Sequence, residues 1–340
     1  MQMTDLTTGI GFALIAGLML GLYALPQKYT QGFKEENTWA LFFMLTMFVV
    51  PIIATFGIMN GVGEVFSAIS SEVLLTMVGA SILWGIGVMM WGKAIHHIGL
   101  SLGFSLFIGT VILVGSLLPF FVDGVPQGNA LIAIVIGLSF VLFGVLANGR
   151  AGILREKDNL EQEPNGQQGS MTKGISIAIV GGLLATGFSL ANAVGRPPLH
   201  EASLAQGNPE WVTALAVMFP IFLSGGVIMA GYFAWQLSRK KAWSSFKTPH
   251  VSKNVLLILM MAFFHYAASA VFAYSAFKLG TSGNTVGYAI FNTACVVTAI
   301  VSGIFTGEWS QTSSKARRTM YSGLASMVTG ILIISVGNNF

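Results

Sequence analysis

The sequence predicts an all-α polytopic membrane protein, with ten transmembrane helices arranged as two inverted five-helix repeats. Three observations predict it. Of 340 residues, 54% are hydrophobic and only 9% charged, against about 25% charged in a soluble domain. Ten apolar runs are long enough to cross a bilayer, and the two halves share a residue pattern at a fixed offset. The charge content excludes a soluble enzyme, a nucleic-acid binder and a disordered chain, because too few polar groups exist to solvate a globule of this size. The 41 glycines suit close helix contacts in lipid. Cys295 is the single cysteine, so neither an intrachain disulfide nor a multi-cysteine metal site is available.

A helix needs about 20 apolar residues to cross the hydrocarbon core. Such runs occupy 8–27, 39–60, 73–91, 98–121, 130–146, 174–193, 211–235, 255–277, 285–305 and 320–336. Backbone groups cannot go unpaired in lipid, so each run is helical or part of a closed barrel. Barrel strands would alternate polar and apolar residues, and stretches such as 131–143 and 255–264 do not. Residues 1–148 form the first repeat, 149–173 a flexible linker and 174–340 the second repeat. The first run lacks a preceding basic segment and a small-residue cleavage site, so it reads as a retained helix. Trp39, Trp211, Trp235, Trp243 and Trp309 fall near span ends, where tryptophan anchors helices at the membrane interface.

Lysine and arginine set the orientation. The odd-numbered connections hold two, one, four, five and three of them, while the even-numbered ones hold only Arg196 and Lys278. This places the odd connections and the linker in the cytoplasm and both termini outside.

The repeat is read from an offset of 165. Thr7-Thr8-Gly9-Ile10 resembles Thr172-Lys173-Gly174-Ile175, Gly17-Leu18 meets Gly182-Leu183, Tyr23 meets Phe188 and Glu36 meets Glu201. A second echo pairs Gly99-Leu100-Ser101 with Gly280-Thr281-Ser282. Five spans per half is an odd number, so the second half enters from the opposite side. Inverted repeats place a transporter's substrate near the midplane.

Every Lys, Arg, Asp and Glu falls outside the ten runs or at their ends. Intramembrane charges mark ion and charged-substrate paths, so their absence points to a neutral cargo. Candidate substrate-binding residues are Tyr23, Trp84, Trp91, Asn192, His265, Tyr266, Tyr288 and Asn292. Aromatic faces pack on the C–H faces of a sugar, while amides supply paired donors and acceptors for its hydroxyls. Each has a plainer alternative. Trp84 and Trp91 share a helical face that could be mere packing, and an amide in lipid can serve as inter-helix glue. Glu36, Glu201 and His265 are the candidates for proton coupling or gating, with solvated loop charge and a core histidine as the alternatives. Glu308 reads as pinned by Arg317 or Arg318. No cofactor, metal site or nucleic-acid surface is indicated. The expected partners are a neutral, hydroxyl-rich solute such as a sugar and the lipid bilayer, with no obligatory protein partner evident.

Leu83-Trp84-Gly85-Ile86-Gly87, the stretches Ile98 to Gly103 and Ile108 to Gly115, the segment Gly187-Phe188-Ser189 to Pro198-Leu199-His200-Glu201-Ala202 and Gly307-Glu308-Trp309 together resemble the L-rhamnose–proton symporter family of the drug/metabolite transporter superfamily. The likeness runs along the whole chain and is weakest in spans eight and nine, around His265, Asn284 and Asn292. It implies ten helices in two inverted repeats and import of a 6-deoxyhexose with a proton. The residues alone also leave open an exporter of neutral amino acids or metabolites and a passive sugar facilitator. A membrane enzyme is disfavoured, since no carboxylate, His–Ser or metal constellation lies at membrane depth.

Overall fold

The computed structural model describes residues 3–160, 170–280, 283–307 and 309–337. Among these every regular element is helical. Among the described residues, nine helices are long and apolar enough to cross a membrane, and a shorter apolar helix covers Leu102–Leu117. Each of the ten predicted runs falls on one of these. In chain order the α-helices are α1 Met3–Leu22, α2 Glu35–Met44, α3 Val50–Ile58, α4 Val62–Ser67, α5 Ser71–Leu117, α6 Phe120–Asp123, α7 Asn129–Leu160, α8 Met171–Ala185, α9 Gly187–Ala205, α10 Thr213–Arg239, α11 Val251–Lys278, α12 Tyr288–Phe305 and α13 Ser314–Gly337. A π-turn at Leu45–Val49 joins α2 to α3, and another at Gly283–Gly287 leads into α12.

The α5 segment counts 47 residues. A straight helix of that length would reach about 70 Å, more than twice a hydrocarbon core of about 30 Å. Yet Trp91 stacks on Phe107 with ring centroids 5.8 Å apart, although sixteen positions of straight helix span about 24 Å. A side-chain carbon at Gly103 would lie 3.5 Å from Ile95. The helix therefore doubles back between Ile95 and Gly103, and its two arms are the third and fourth predicted runs. Both arms press on α8, where Gly181 meets Met90 and the adjacent Gly182 meets Thr110.

Loop contacts separate two faces. On one, Glu36 pairs with Lys240, Lys28 donates to Thr306, Asn254 donates to the Gln31 carbonyl and Arg155 lies over the Trp309 ring. This basic face gathers the odd-numbered connections. On the opposite face, Asn208 bonds the backbone of Asn60 and Lys278 bridges Glu210 and Asp5.

Glycines set the closest approaches. A side-chain carbon at Gly17 of α1 would lie 2.7 Å from the Phe291 carbonyl and 2.5 Å from Ala294 on α12. One at Gly182 of α8 would lie 2.8 Å from the Phe107 carbonyl and 2.7 Å from Thr110 on α5. The α7–α13 pair is reciprocal: Gly137 abuts Gly330, and Gly144 abuts Gly323, carbonyl to Cα on both sides. The indices rise on α7 as they fall on α13, so these helices run antiparallel.

Two expectations are corrected. Residues 149–160 are not loop, because α7 continues to Leu160, and α8 begins at Met171; positions 161–169 of the expected linker lie outside the described residues. The helix that opens the second half also does not stop near Ala193. α9 carries on through Pro197 and Pro198 to Ala205, which draws Arg196 into the protein at 8% exposure. Not every charge is therefore peripheral. The Arg196 guanidinium donates to the backbone carbonyls of Ala276 and Gly280 at the end of α11. Helix ends leave such acceptors unpaired and carry partial negative charge, which is why this cation is tolerated there.

Candidate functional site

A line of rings crosses the middle of the bundle. Tyr23, just past α1, lies 5.0 Å from the His265 ring of α11 and 5.4 Å from Phe42 of α2. His265 lies 5.7 Å from Phe222 of α10, and Tyr266 meets the same ring edge-on at 5.0 Å. Phe222 is 5.5 Å from Trp84 of α5, and Trp84 is 5.3 Å from Phe188 of α9. Phe188 then faces Tyr288 of α12 at 6.4 Å and Phe272 of α11 at 6.1 Å, with Phe291 stacked on Phe272 at 4.7 Å. The α11 helix lends three rings to this line, His265, Tyr266 and Phe272, and α12 lends two, Tyr288 and Phe291. Trp84 is admitted by Gly225, where a side-chain carbon would come within 2.7 Å of its ring.

Polar groups border this line. His265 Nδ1 lies 3.2 Å from Thr46 Oγ1 on the π-turn after α2. Ser189 donates to the Gly115 carbonyl at 2.7 Å. Asn192 Nδ2 donates to Asn284 Oδ1 at 2.7 Å, and both residues are fully buried. Asn192 Oδ1 has no hydrogen-bond partner. No Asp, Glu, Lys or Arg is among the rings or these bordering groups. Aromatic faces edged by neutral amides and hydroxyls can hold an uncharged, hydroxylated molecule.

Of the expected substrate-binding residues, Tyr23, Trp84, His265, Tyr266 and Tyr288 share the ring line, and Asn192 borders it. Trp91 stands apart, packed between the arms of α5 against Phe104 and Phe107. Asn292 is buried one turn beyond Tyr288 and donates to the Tyr288 carbonyl of its own helix. Glu36 starts α2 at the basic face and pairs with Lys240. Glu201 is exposed on α9, still inside the helix that opens the second half. The two carboxylates thus occupy different kinds of position. Glu308 lies outside the described residues. Phe42, Phe188, Phe222, Phe272 and Phe291 of the ring line, and Thr46 and Asn284 beside it, were not among the expected residues. The signal for Phe188 was present, since it stands 165 positions from Tyr23.

The family of the L-rhamnose-proton symport protein matches residues 3–339. The chain belongs to that family. It is a family of transporters, not of enzymes. L-rhamnose-proton symporters of Shigella sonnei and Shigella flexneri are each 22% identical to this member over 343 residues, covering 98% of both chains. One from Escherichia coli shows the same identity and coverage. The match therefore spans both halves of this family member and every helix that lends a ring to the central line.

Proposed function

We propose that this chain imports a neutral monosaccharide, L-rhamnose or a related deoxyhexose, together with a proton. It does so by alternating access between two inverted five-helix repeats in a bacterial inner membrane, with the basic face inside and both termini outside. The observation that carries this reading is the central line of rings from Tyr23 to Phe291, bordered by amides and hydroxyls and by no carboxylate. Arg196 does not alter it, because its guanidinium is engaged by the carbonyls of Ala276 and Gly280.

The packing supports inverted repeats beyond the residue pattern. At the offset of 165, Gly9 touches Leu279 and Gly174 touches Ile98; those partners are 181 apart, the offset of the second echo. Tyr23 touches His265 and Phe188 touches Trp84, again at 165 and 181. Each half thus places its opening helix on the same neighbours. A carrier changes state only through differential affinity, and two equivalent half-sites around one cargo suit that requirement.

His265 is the group proposed to carry the proton. Among the rings it alone is an imidazole, with ring nitrogens that can take and release a proton, and it stands where the other half has Trp84. The test is uptake by purified protein in proteoliposomes under an imposed pH gradient. Accumulation of L-rhamnose against its concentration gradient is the expected result. Equilibration without accumulation means a facilitator, and transport of neutral amino acids but no sugar means the other cargo class.

A further inference from the structure

The α9 helix meets the chain around the start of α12 in three successive rungs. Phe188 faces Tyr288 at 6.4 Å between ring centroids. Asn192 donates to Asn284 at 2.7 Å. Arg196 donates to the Gly280 carbonyl at 3.1 Å and also to that of Ala276. Each rung lies four residues, about one helical turn, further along α9 and four residues back on the other segment, so the contacts run in antiparallel order. The seam begins inside the ring line at Phe188 and leads toward the face opposite the basic one, where Lys278 holds Glu210 and Asp5.

The rungs differ in chemistry. The first is apolar and belongs to the central cluster. The second is an amide pair with spare capacity: Asn192 Oδ1 is buried without a partner, and an unmet buried acceptor is costly. The third is a cation held by backbone carbonyls at a helix end, beside Gly280, whose φ of +61° turns the chain out of α11. Backbone carbonyls stay where the helix stays. The grip is therefore renewed whenever the end of α11 returns to α9.

We infer that this seam is the gate on the face opposite the basic one. A sugar hydroxyl donates to Asn192 Oδ1 as the Asn192–Asn284 bond opens, and Arg196 is the positioning residue that draws the end of α11 back over the occupied site. The inference deepens the sugar-transport reading and rests on it. Asn284 becomes a sugar-binding residue, and Arg196 acts through α11 without touching cargo.

The test uses the full chain in nanodiscs and proteoliposomes. In Arg196→Met, hydrogen exchange over 276–288 should quicken while the α7–α13 pair stays protected. Turnover should fall about tenfold with L-rhamnose affinity held within about threefold, the split expected for a residue outside the binding contacts. Arg196→Lys, which keeps a cation for one carbonyl, should fall between. Asn284→Ala should weaken L-rhamnose binding about tenfold. The gate is overturned by wild-type exchange and turnover in Arg196→Met, by parallel loss of affinity, turnover and protection of the α7–α13 pair in both Arg196 variants, or by wild-type affinity in Asn284→Ala. Wild-type protein is assayed first for uptake. Should it carry no sugar, the functional reading fails, while the exchange measurement still decides whether Arg196 holds the seam.

Discussion

Trp84 and His265 flank the Phe222 ring at 5.5 Å and 5.7 Å, and each is backed by the ring of a helix that opens one half: Phe188 behind Trp84, Tyr23 behind His265. The arrangement gives two like half-sites, one with an indole and one with an imidazole. An indole offers a broad apolar plane, and an imidazole offers a smaller plane that can take a proton. In the proposed reading, stacking falls to the Trp84 side of the Phe222 ring and coupling to the His265 side.

Trp84→Ala should weaken sugar binding by about tenfold, since a buried aromatic platform is worth one to several kcal/mol. Trp91→Ala should leave affinity within about twofold and lower thermal stability instead, because its ring fills the fold of α5. Equilibrium binding and thermal unfolding of the two variants separate the roles. Equal losses of affinity would move the site toward the α5 reversal.

His265→Gln keeps a hydrogen-bonding group for Thr46 but cannot take a proton at physiological pH. It should abolish accumulation driven by a pH gradient while sugar–sugar exchange across the membrane continues. Gradient-driven accumulation at the wild-type level would shift the proton to Glu36 or Glu201.

Gly17 and Gly182 should respond alike. Valine at either position must displace a carbonyl and a side chain of the facing helix, and overpacking of this kind costs about 1–3 kcal/mol. Thermal unfolding in detergent should show comparable losses for the two variants. A neutral substitution at one of them would argue against equivalent helix crossings.

The Glu36–Lys240 pair ties the start of α2 to the end of α10 at the basic face, with side-chain exposures of 18% and 50%. An ion pair so exposed adds at most about 1 kcal/mol of stability, so its consequence is sought in gating. Glu36→Lys should slow uptake, and the reversed pair with Lys240→Glu should restore it. Uptake untouched by the single reversal would leave the pair no part in gating.

Membrane residence and the apolar runs were legible along the chain, because hydropathy adds up locally and needs no knowledge of neighbours. The offset of 165 also paired Tyr23 with Phe188 before any contact was known. The rotation of each helix was not legible. Trp84 and Trp91 share a face by spacing, yet the reversal of α5 encloses only Trp91 between its arms. Asn292 turned to its own helix, and Asn284 met Asn192. Arg196 was drawn inside because α9 continues through two prolines and the end of α11 supplies carbonyls. Such choices depend on which surfaces approach closely enough to exclude one another, and that is settled by glycine contacts between distant segments, which only the tertiary structure brings together.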